Sequence, residues 1–290
     1  MVNDGNCLLT KSVLSLVQTS QNRREELKRF LNSLNAQEMI DFKGIQLIFV
    51  DQGDNLDIFK EINPLIDFKY IKATPCSLSK ARNIGLEYVK GEFVGFPDDD
   101  CWYEEDTLYK VLCYLSQGKY QGVTGKGTNE NGELTSKFLT HASVLTTAHS
   151  YSAISYTLFF VFKRGLFFDE NIGVGSPYNI GSGEETDYLL NLMEKYNYKV
   201  YYDPSIIVHH PTNAIYDWSV VKKKTYSYAR GGGYLMQKHS FPLSYMLLQF
   251  LRPCVGMVVN LLKLDTKASV RSYNNLKGRI EGYLWKGQRT

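Results

Sequence analysis

Asp98, Asp99 and Asp100 are three consecutive carboxylates directly after a short apolar segment. Carboxylates this close repel one another, so a positive group must offset them. In an extended segment, residues 98 and 100 project to the same side, about 7 Å apart along the chain. Such a pair can bind Mg²⁺ or Mn²⁺ while phosphates complete the coordination shell. The alternative is a solvated turn that caps a helix. A calcium loop does not fit, because it needs acidic residues at alternate positions and a distal Glu.

A second group of carboxylates, Glu184, Glu185 and Asp187, lies in the segment GSGEETD at residues 181–187. A carboxylate at the start of a helix can act as a general base that removes a proton from a hydroxyl group. Ser182 and Glu185 also have the spacing of a capping box. In that case Glu185 caps the helix, and Glu184 or Asp187 is the base.

Two further segments contain residues that could bind a metal or a phosphate. His210 follows an apolar strand, where a neutral imidazole can complete a Mn²⁺ shell or close the strand as a structural residue. Residues 226–233 read YSYARGGG, which combines Arg230 with three glycines. This composition predicts either a flexible loop that reaches a diphosphate or a hinge in a helix. Neither a P-loop nor a dinucleotide-binding fingerprint is present.

The elements that must position these residues follow from the hydrophobic pattern. Apolar runs alternate with helical periodicities over the first 120 residues, which predicts βαβ units and a mostly parallel α/β sheet with helices on both faces. Ligands bind at the carboxyl ends of such strands. We therefore expect Thr19-Ser20, Asp51-Gln52 and the aspartate triplet to line one crevice. The predicted strands are 13–17, 45–50, 68–71, 93–96, 200–202 and 206–208, and the predicted helical stripes are 27–34, 78–89, 108–115 and 189–196.

The composition is that of a globular protein with a real core. The chain has 290 residues, of which 43% are hydrophobic and 22% are charged, so disordered, collagen-like and coiled-coil classes are excluded. The five cysteines are scattered without zinc spacing, which favours a reducing compartment. The first residues do not resemble a signal peptide. A cytoplasmic protein is expected.

Charge and hydropathy change near residue 218. Residues 218–290 contain 13 Lys and Arg against two acidic residues, whereas residues 1–217 contain 20 against 28.

The segment 243–264 is apolar, but Arg252-Pro253 leaves two nine-residue runs, too short to span a membrane. We expect an in-plane or partly inserted hairpin whose flanking basic residues contact anionic lipid at about 1 kcal/mol each. The alternative is a buried helix pair with a solvated basic face. Nucleic acid is not expected as a partner, because no recognition motif accompanies the charge. The flanking basic residues are Lys222, Lys223, Lys224, Lys263, Lys267 and Arg271.

Several segments, in order along nearly the whole chain, resemble motifs of family 2 glycosyltransferases of the nucleotide-sugar-binding GT-A class. Four lie in the first 103 residues, and residues 181–187 are similar to the family's GSGEDTD, while His210 matches its YHP-like position. The first four are TSQNR at 19–23, like the loop that meets the nucleotide; VDQG at 50–53, like the VDDGS turn; LSKARNIG at 78–85, like the LSxARNxG helix; and FPDDDCWY at 96–103, like the DXD motif.

The resemblance implies a role for each candidate residue. A divalent metal, Mn²⁺ or Mg²⁺, would neutralise the diphosphate leaving group, and Glu185 matches the Asp that usually serves as the base. Gln21 replaces the usual Tyr, and Gln52 replaces the second Asp of the turn; because an amide also donates hydrogen bonds, the identity of the nucleotide's base stays open. The implied metal ligands are Asp98, Asp100 and His210, and the implied nucleotide-sugar contacts are Thr19, Asp51, Gln52, Arg82, Asp98, Asp99 and Arg230.

These observations together predict an inverting, metal-dependent glycosyltransferase with a UDP- or dTDP-linked donor. The acceptor is expected to be a saccharide, lipid-linked, at the inner face of a bacterial membrane in surface polysaccharide assembly. Residues 1–217 are predicted to form the GT-A domain (1–120 for the nucleotide sugar, 121–217 for the acceptor and the base), and residues 218–290 a basic helical region that docks peripherally on anionic membrane.

Two alternatives remain. A nucleotidyltransferase would carry a glycine-rich first loop, and residues 19–24 contain no glycine. A catalytically inactive nucleotide-sugar-binding partner of a membrane complex is disfavoured by the presence of both acidic groups.

Overall fold

The structure, a computed structural model, describes residues 13–212 and 217–286. These residues fall into two compact units. The first unit comprises 13–76, 81–167 and 191–212, and the second comprises 77–80, 168–190 and 217–286. Residues 168–190 belong to the same unit as the C-terminal helices. The predicted division of the chain at residue 217 into functional domains stays a prediction.

The first unit is built on one large sheet. Across the described residues the strand order is β3-β2-β1-β4-β8-β6-β9-β5, with β7 paired to β9. The strands are β1 (Leu14–Ser20), β2 (Ile45–Asp51), β3 (Asp67–Lys72), β4 (Phe93–Gly95), β5 (Trp102–Tyr103), β6 (Gly122–Thr128), β7 (Ser143–Val144), β8 (Leu158–Val161) and β9 (Val200–His209).

Only part of this sheet is parallel. Strands β3, β2, β1 and β4 run parallel as predicted, and β6 is parallel to β9. Strand β8 is antiparallel to both of its neighbours, and β5 and β7 are antiparallel to β9. The predicted mostly parallel sheet is thus a mixed sheet, because irregular segments rather than crossover helices lead into β7 and β8 and no crossover imposes a common direction.

The two short strands predicted at 200–202 and 206–208 form the single strand β9. The pairing with β6 shifts register between Thr124 and Lys126, opposite the segment that contains Pro204. A bulge of this kind accommodates a proline, since proline cannot donate to the ladder.

Helices cover both faces of the sheet, as predicted. The stripe Leu27, Phe30, Leu31 and Leu34 of the first helix is buried in the same core as the alternate residues of β1 and β2. On the other face, a Cβ at Gly85 would lie 2.4 Å from Cγ1 of Val17, so the glycine allows a close approach of helix to strand. The four shorter helices are α1 (Arg24–Asn35), α2 (Leu78–Leu86), α3 (Thr107–Ser116) and α4 (Glu184–Tyr196).

The second unit contains the first two turns of α4 and three long helices, α5 (Trp218–Lys238), α6 (Leu243–Leu262) and α7 (Thr266–Leu284). The glycine-rich segment 226–233 lies inside α5, so the predicted flexible loop is wrong. A Cβ at Gly231 would lie 2.1 Å from the carbonyl oxygen of Ser182, and one at Gly233 would lie 2.1 Å from that of Arg279 on α7. These two glycines therefore permit close backbone packing of α5.

Single alanine substitutions across this triple glycine should have opposite effects on stability. Gly231→Ala and Gly233→Ala should each destabilise the protein by about 1–3 kcal/mol, because the new methyl group overlaps backbone atoms. Gly232→Ala is the matched control: a Cβ there meets nothing within 4 Å, and alanine should add up to about 1 kcal/mol of helix propensity. Denaturant unfolding of the three variants measures this, and equal effects at all three positions would contradict the packing argument.

Helix α6 runs without interruption through Arg252-Pro253, so the predicted break into two short segments is wrong. Proline has no N–H for the carbonyl oxygen four residues earlier. That oxygen belongs to Gln249, and it accepts a hydrogen bond from the Arg279 guanidinium of α7 instead. The helix can continue because its freed acceptor has a partner.

Most of the α6 surface is exposed. Only 6% of its most apolar 18-residue stretch is buried, so the alternative of a buried helix pair does not hold for α6. Among the described residues it is the one helix long and apolar enough to cross a membrane, by length and composition alone. It packs along one side against α7, for example through the edge-to-face contact of Phe250 with Tyr283.

Candidate active site

The carboxyl ends of three neighbouring strands bring the polar segments together, as predicted. Ser20 at the end of β1 is the register partner of Asp51 at the end of β2. On its other side β1 pairs with β4, which leads into the aspartate triplet. The Ser20 hydroxyl donates a 2.7 Å hydrogen bond to Asp99, which ties the first loop to the triplet.

Asp98, Asp100 and His210 form a cluster with metal-ligand geometry. One ligand atom from each residue lies within 4.8 Å of the other two. Asp100 is buried and Asp98 is partly exposed. The structure thus brings the three predicted metal ligands together, and their role as ligands stays a prediction. Two carboxylate oxygens and one imidazole nitrogen are a donor set that fits Mn²⁺ well, and the carboxylates alone fit Mg²⁺.

His210 is oriented by contacts on both ring nitrogens. Nδ1 lies 2.8 Å from the carbonyl oxygen of Pro211, which can only accept, so Nδ1 carries the hydrogen. Nε2 lies 3.0 Å from Oδ1 of Asp100, and the ring stacks on Tyr156 at 4.8 Å. Burial alone lowers the pKa of His210, but the hydrogen bond and charge of Asp100 outweigh it and raise the pKa. In the protonated ring, Nε2 can therefore donate a hydrogen bond to Asp100. In the neutral ring, Nε2 can offer its lone pair to a metal ion.

Two arginines offset the charge of the triplet. Arg82, which is 1% exposed, donates a 2.7 Å hydrogen bond to Asp98, and Arg23 forms an ion pair with Asp100 and lies 3.7 Å from Asp99. Burial raises the pKa of Asp100, but His210 and Arg23 outweigh it and hold the pKa below its ordinary value. Burial raises the pKa of Asp99 to about 6, despite the hydrogen bond from Ser20 and the charge of Arg23.

Sequence patterns alone do not reveal several of these partners. Arg23 belongs to the first-loop motif without an assigned role there, and its position directly after a strand is the available signal. Ser155, whose hydroxyl lies 3.3 Å from Asp98, and Tyr156 come from the irregular middle region, where no motif marks them. The resemblance places Arg82 near the nucleotide. In the structure its buried guanidinium pairs with Asp98, and its contact with the nucleotide stays a prediction.

The predicted nucleotide contacts at the end of β2 differ in accessibility. Asp51 has no exposed surface, and its carboxylate accepts hydrogen bonds from the backbone and side chain of Asn55, from the Gly53 N–H and from the Tyr70 hydroxyl. Asp51 thus organises the turn, and its contact with a base stays a prediction. Gln52 is 9% exposed, and its Oε1 accepts a 2.6 Å hydrogen bond from the Cys76 N–H. The Gln52 amide nitrogen remains a donor.

Thr19 is 8% exposed at the end of β1, and its predicted contact with the nucleotide stays a prediction. Next to it, a Cβ at Gly53 would lie 1.5 Å from the carbonyl oxygen of Gln21. The turn after β2 therefore packs directly on the loop after β1, and only glycine fits there.

The three carboxylates of α4 differ sharply in environment. Glu184 and Asp187 are 4% and 1% exposed, whereas Glu185 on the first turn is partly exposed. The Asp187 carboxylate lies 2.9 Å from Nζ of Lys238 and 2.8 Å from Nε2 of His239 at the end of α5. The negative charges of Asp187 and Asp169 raise the pKa of Lys238, although its burial lowers it. Asp187 is therefore part of a buried ion cluster, and its alternative role as the base stays a prediction.

Ser182 is predicted from its spacing to form one half of a capping box with Glu185. Helix α4 begins at Glu184 and is preceded by Gly183 at φ 100°. The Ser182 hydroxyl donates a 3.2 Å hydrogen bond to the carbonyl oxygen of Tyr228 on α5. Ser182 lies one residue too early for the predicted cap.

Replacing Asp187 by alanine should destabilise the second unit rather than act on chemistry alone. The Asp187 carboxylate is one of two that pair with Lys238, at 2.9 Å against 2.7 Å for Asp169. Removing one member of such a buried ion cluster costs about 3–5 kcal/mol. Thermal or denaturant unfolding measures the loss. Asp187→Asn keeps the shape and one acceptor oxygen and should lose less, and wild-type stability of Asp187→Ala would contradict a structural role.

Arg230 lies on α5, and its guanidinium donates a 2.8 Å hydrogen bond to the carbonyl oxygen of Tyr178. Its backbone packs against α7, where a Cβ at Gly282 would lie 2.0 Å from the Arg230 carbonyl oxygen. Arg230 thus connects α5 to the segment before α4, and its predicted contact with a diphosphate stays a prediction.

The comparisons with known proteins agree with this geometry. The family model described as glycosyl transferase family 2 matches residues 15–223. Since this is more than half of the chain, the protein belongs to that family.

Several curated relatives are bacterial proteins that match part of the chain. The poly(ribitol-phosphate) beta-N-acetylglucosaminyltransferase TarP of Staphylococcus aureus is 32% identical over 126 residues, which is 39% of this chain and 38% of TarP. The minor teichoic acid biosynthesis protein GgaB of Bacillus subtilis is 26% identical over 190 residues, 58% of this chain and 21% of GgaB. The matches cover at most 38% of the curated relatives' own lengths.

Solved structures share the fold. TarS residues 1–349 of S. aureus, in complex with UDP-GlcNAc, superposes with a TM-score of 0.58 at 15% identity, over 91% of this chain and 90% of that one. The mannosyltransferase PcManGT of Pyrobaculum calidifontis, in complex with GDP-Man and Mn²⁺, gives a TM-score of 0.66 at 11% identity, over 96% and 88%. The likeness confirms the predicted GT-A-like fold.

Proposed function

We propose that the protein transfers a sugar from a nucleotide-sugar donor to a saccharide acceptor, with inversion at the anomeric carbon and with a divalent metal. The observation that carries this proposal is the cluster of Asp98, Asp100 and His210 at the carboxyl ends of β1 and β4 in a chain of glycosyl transferase family 2. Ligands of open α/β sheets bind at this edge.

Asp98, Asp100 and His210 would hold the metal. When bound, the metal supplies positive charge that neutralises the diphosphate as it leaves. The buried guanidinium of Arg82 holds Asp98 in place through an ion pair, and Arg23 pairs with Asp100 from the exposed side. The stack of Tyr156 on His210 holds the imidazole in place. The chain thus orients its ligands before the donor arrives, which lowers the reorganisation that binding requires.

Glu185 is our candidate for the general base that takes the proton from the acceptor hydroxyl. Its support is accessibility: of the three acidic residues at the start of α4, it is the one that is partly exposed, while Asp187 is held by Lys238 and His239. A general base must reach the proton that it removes.

The donor is proposed to be linked to UDP or dTDP. Gln52 has its Oε1 occupied by the Cys76 N–H, so its amide N–H group is the part that can meet a base. Uracil and thymine carry carbonyl oxygens that accept such a bond. The solved structure of TarS residues 1–349, which has the same fold, is of its complex with UDP-GlcNAc.

The acceptor is proposed to be a saccharide of a bacterial surface polysaccharide, carried on a lipid at the inner face of the membrane. Two relatives are named for poly(ribitol-phosphate) and teichoic acid, and the exposed apolar surface of α6 supports membrane contact. Apolar residues on one side of a helix and basic residues around it are typical of interfacial binding.

A thermal-shift panel tests the donor site. UDP, dTDP, GDP, CDP and ADP are each added with Mn²⁺ and with EDTA, and a ligand that binds only the folded protein raises the melting temperature. We expect a metal-dependent shift with UDP or dTDP, followed by metal-dependent release of that nucleotide from its sugar conjugate. A shift without turnover would favour an inactive binding partner, and no shift with any nucleotide would contradict the proposal.

A further inference from the structure

A cavity of about 570 Å³ lies within the second unit among helices α5, α6 and α7. Three arginines line it: Arg252 from α6, and Arg271 and Arg279 from α7. Asn275 lines it as well, and no hydrogen-bond partner reaches its buried Oδ1 among the described residues. Turning this amide presents its N–H groups instead. The cavity is therefore rich in hydrogen-bond donors and positive charge.

No carboxylate lines the cavity among residues 217–286. Asp265 caps α7 by accepting a hydrogen bond from the Ala268 N–H. Glu281 accepts a hydrogen bond from the Tyr226 hydroxyl and lies 3.9 Å from Lys277. Like charges at short range repel one another, and a bound anion offsets this repulsion. The three guanidiniums thus lack an acidic partner in the part of the chain that forms this cavity.

Arg279 is the partly buried member of the set, and Arg252 and Arg271 are exposed. One of its nitrogens donates to the Gln249 carbonyl oxygen freed by Pro253, which fixes the guanidinium while four of its five N–H donors remain. Burial lowers the pKa of Arg279, and the charge of Arg252 lowers it further. The proline in α6 thereby helps to hold a guanidinium at the cavity.

The cavity wall on α5 includes Gly232, where a Cβ would meet nothing within 4 Å. Its neighbours Gly231 and Gly233 are needed for backbone packing, but Gly232 is not. The absent side chain leaves the cavity open on that side.

The position of Arg252 relates the cavity to the apolar surface of α6. Leu251, Val255 and Val258 repeat at helical spacing on one side and are each more than half exposed. Arg252 follows Leu251 directly and points about 100° further round the helix. An arginine beside an apolar helix surface can bury its aliphatic part there and place its guanidinium at the depth of the lipid headgroups.

We propose that the cavity lined by Arg252, Arg271 and Arg279 binds the phosphate group of a membrane lipid. This rests on the membrane contact of α6 proposed above and adds a specific headgroup site to it. Guanidinium groups pair with phosphate oxygens through parallel N–H bonds, and three of them can share one terminal phosphate. A phosphomonoester offers three such oxygens and up to two charges, so it should be preferred over a phosphodiester.

The test is flotation with two sets of phosphatidylcholine vesicles, one containing phosphatidic acid and the other phosphatidylglycerol, matched in zeta potential. The wild-type chain should bind the phosphatidic acid vesicles at least tenfold more tightly. The double substitution Arg252→Gln with Arg271→Gln should bring the ratio of the two affinities, phosphatidic acid over phosphatidylglycerol vesicles, to within about twofold of one. Both arginines are exposed, so these substitutions should leave the fold intact.

Matched controls separate a site from general charge. Lys263→Gln with Lys267→Gln removes the same charge near α6 and α7 from outside the cavity, so it should weaken binding to both vesicles and keep the ratio. Gly232→Glu places a carboxylate in the cavity without removing a base, and it should lower the ratio as the arginine variant does. An equal ratio in the arginine variant and the wild type, or a wild-type ratio near one, would overturn the proposal.

Calorimetric titration with glycerol 3-phosphate distinguishes the source of the phosphate. The wild-type chain could bind glycerol 3-phosphate as tightly as it binds phosphatidic acid vesicles, with this binding lost in the arginine variant. That result would assign the cavity to a free anion and overturn the lipid assignment. Metal-dependent thermal shifts with UDP and dTDP are measured on the same proteins. Their absence in the wild type contradicts the donor site and leaves the lipid ratio intact, whereas flotation with neither vesicle contradicts the membrane contact and, with it, this proposal.

Discussion

Replacing Asp100 by asparagine should lower sugar transfer about a thousandfold and remove the effect of Mn²⁺ on nucleotide binding. The carboxylate is one of three ligands in the proposed metal site, and a metal contributes several kcal/mol to charge stabilisation at a leaving diphosphate. Asparagine keeps the shape but loses the charge. Transfer rates and thermal shifts with the matching nucleoside diphosphate, each with Mn²⁺ and with EDTA, measure both effects.

The matched control is Asp106→Asn, which removes an aspartate whose ion pair with Lys110 lies on the surface of α3. It should leave transfer and metal dependence unchanged. The melting temperature of Asp100→Asn in EDTA shows whether the loss of the ion pair with Arg23 unfolds the protein. A folded Asp100→Asn protein with wild-type metal dependence would show that the metal, if used, binds elsewhere.

Replacing Glu185 by glutamine should reduce transfer at least about a hundredfold and leave nucleotide binding intact. A glutamine has nearly the same shape but cannot accept the proton, and a positioned general base contributes about 10²–10⁴-fold. Because the base acts in the chemical step, kcat should fall while the metal-dependent thermal shift stays that of the wild type.

Two further variants test which acidic residue of α4 is the general base. Glu194→Gln, near the other end of the same helix, is the control for removing a charge from α4 and should transfer at the wild-type rate. Glu184→Gln tests the buried neighbour. If Glu184→Gln loses transfer and Glu185→Gln does not, the base is Glu184 and the argument from accessibility is wrong.

The ends of the first strands and the helices between them can be predicted well from the sequence. Buried strands such as Ile45–Asp51 and the stripe Leu27 to Leu34 of α1 are local patterns, visible within one window of residues. Because parallel neighbours end at one edge, the hydrophobic pattern is enough to place their polar ends together. The juxtaposition of Asp98 and Asp100 with His210 follows only from the resemblance to a family.

Other elements cannot be predicted in this way, because their local signals point elsewhere. Pro253 and the triple glycine of α5 are helix breakers in isolation. Both lie inside long helices. The Arg279 guanidinium of α7 donates to the carbonyl oxygen that Pro253 leaves free, and the backbones of Ser182 and Arg279 lie against Gly231 and Gly233. These compensations come from residues distant in sequence.

The sequence by itself determined the family, the strand ends and the residue types of the site, since periodicity and motif spacing are properties of short segments. Only the tertiary structure decided which carboxylate of α4 is accessible, that Arg23, Ser155 and Tyr156 contact the cluster of Asp98, Asp100 and His210, and that three arginines share one cavity. The physical reason is that burial and charge pairing depend on which distant segments meet, and one residue in contact with another changes its accessibility and its pKa without changing its own sequence pattern.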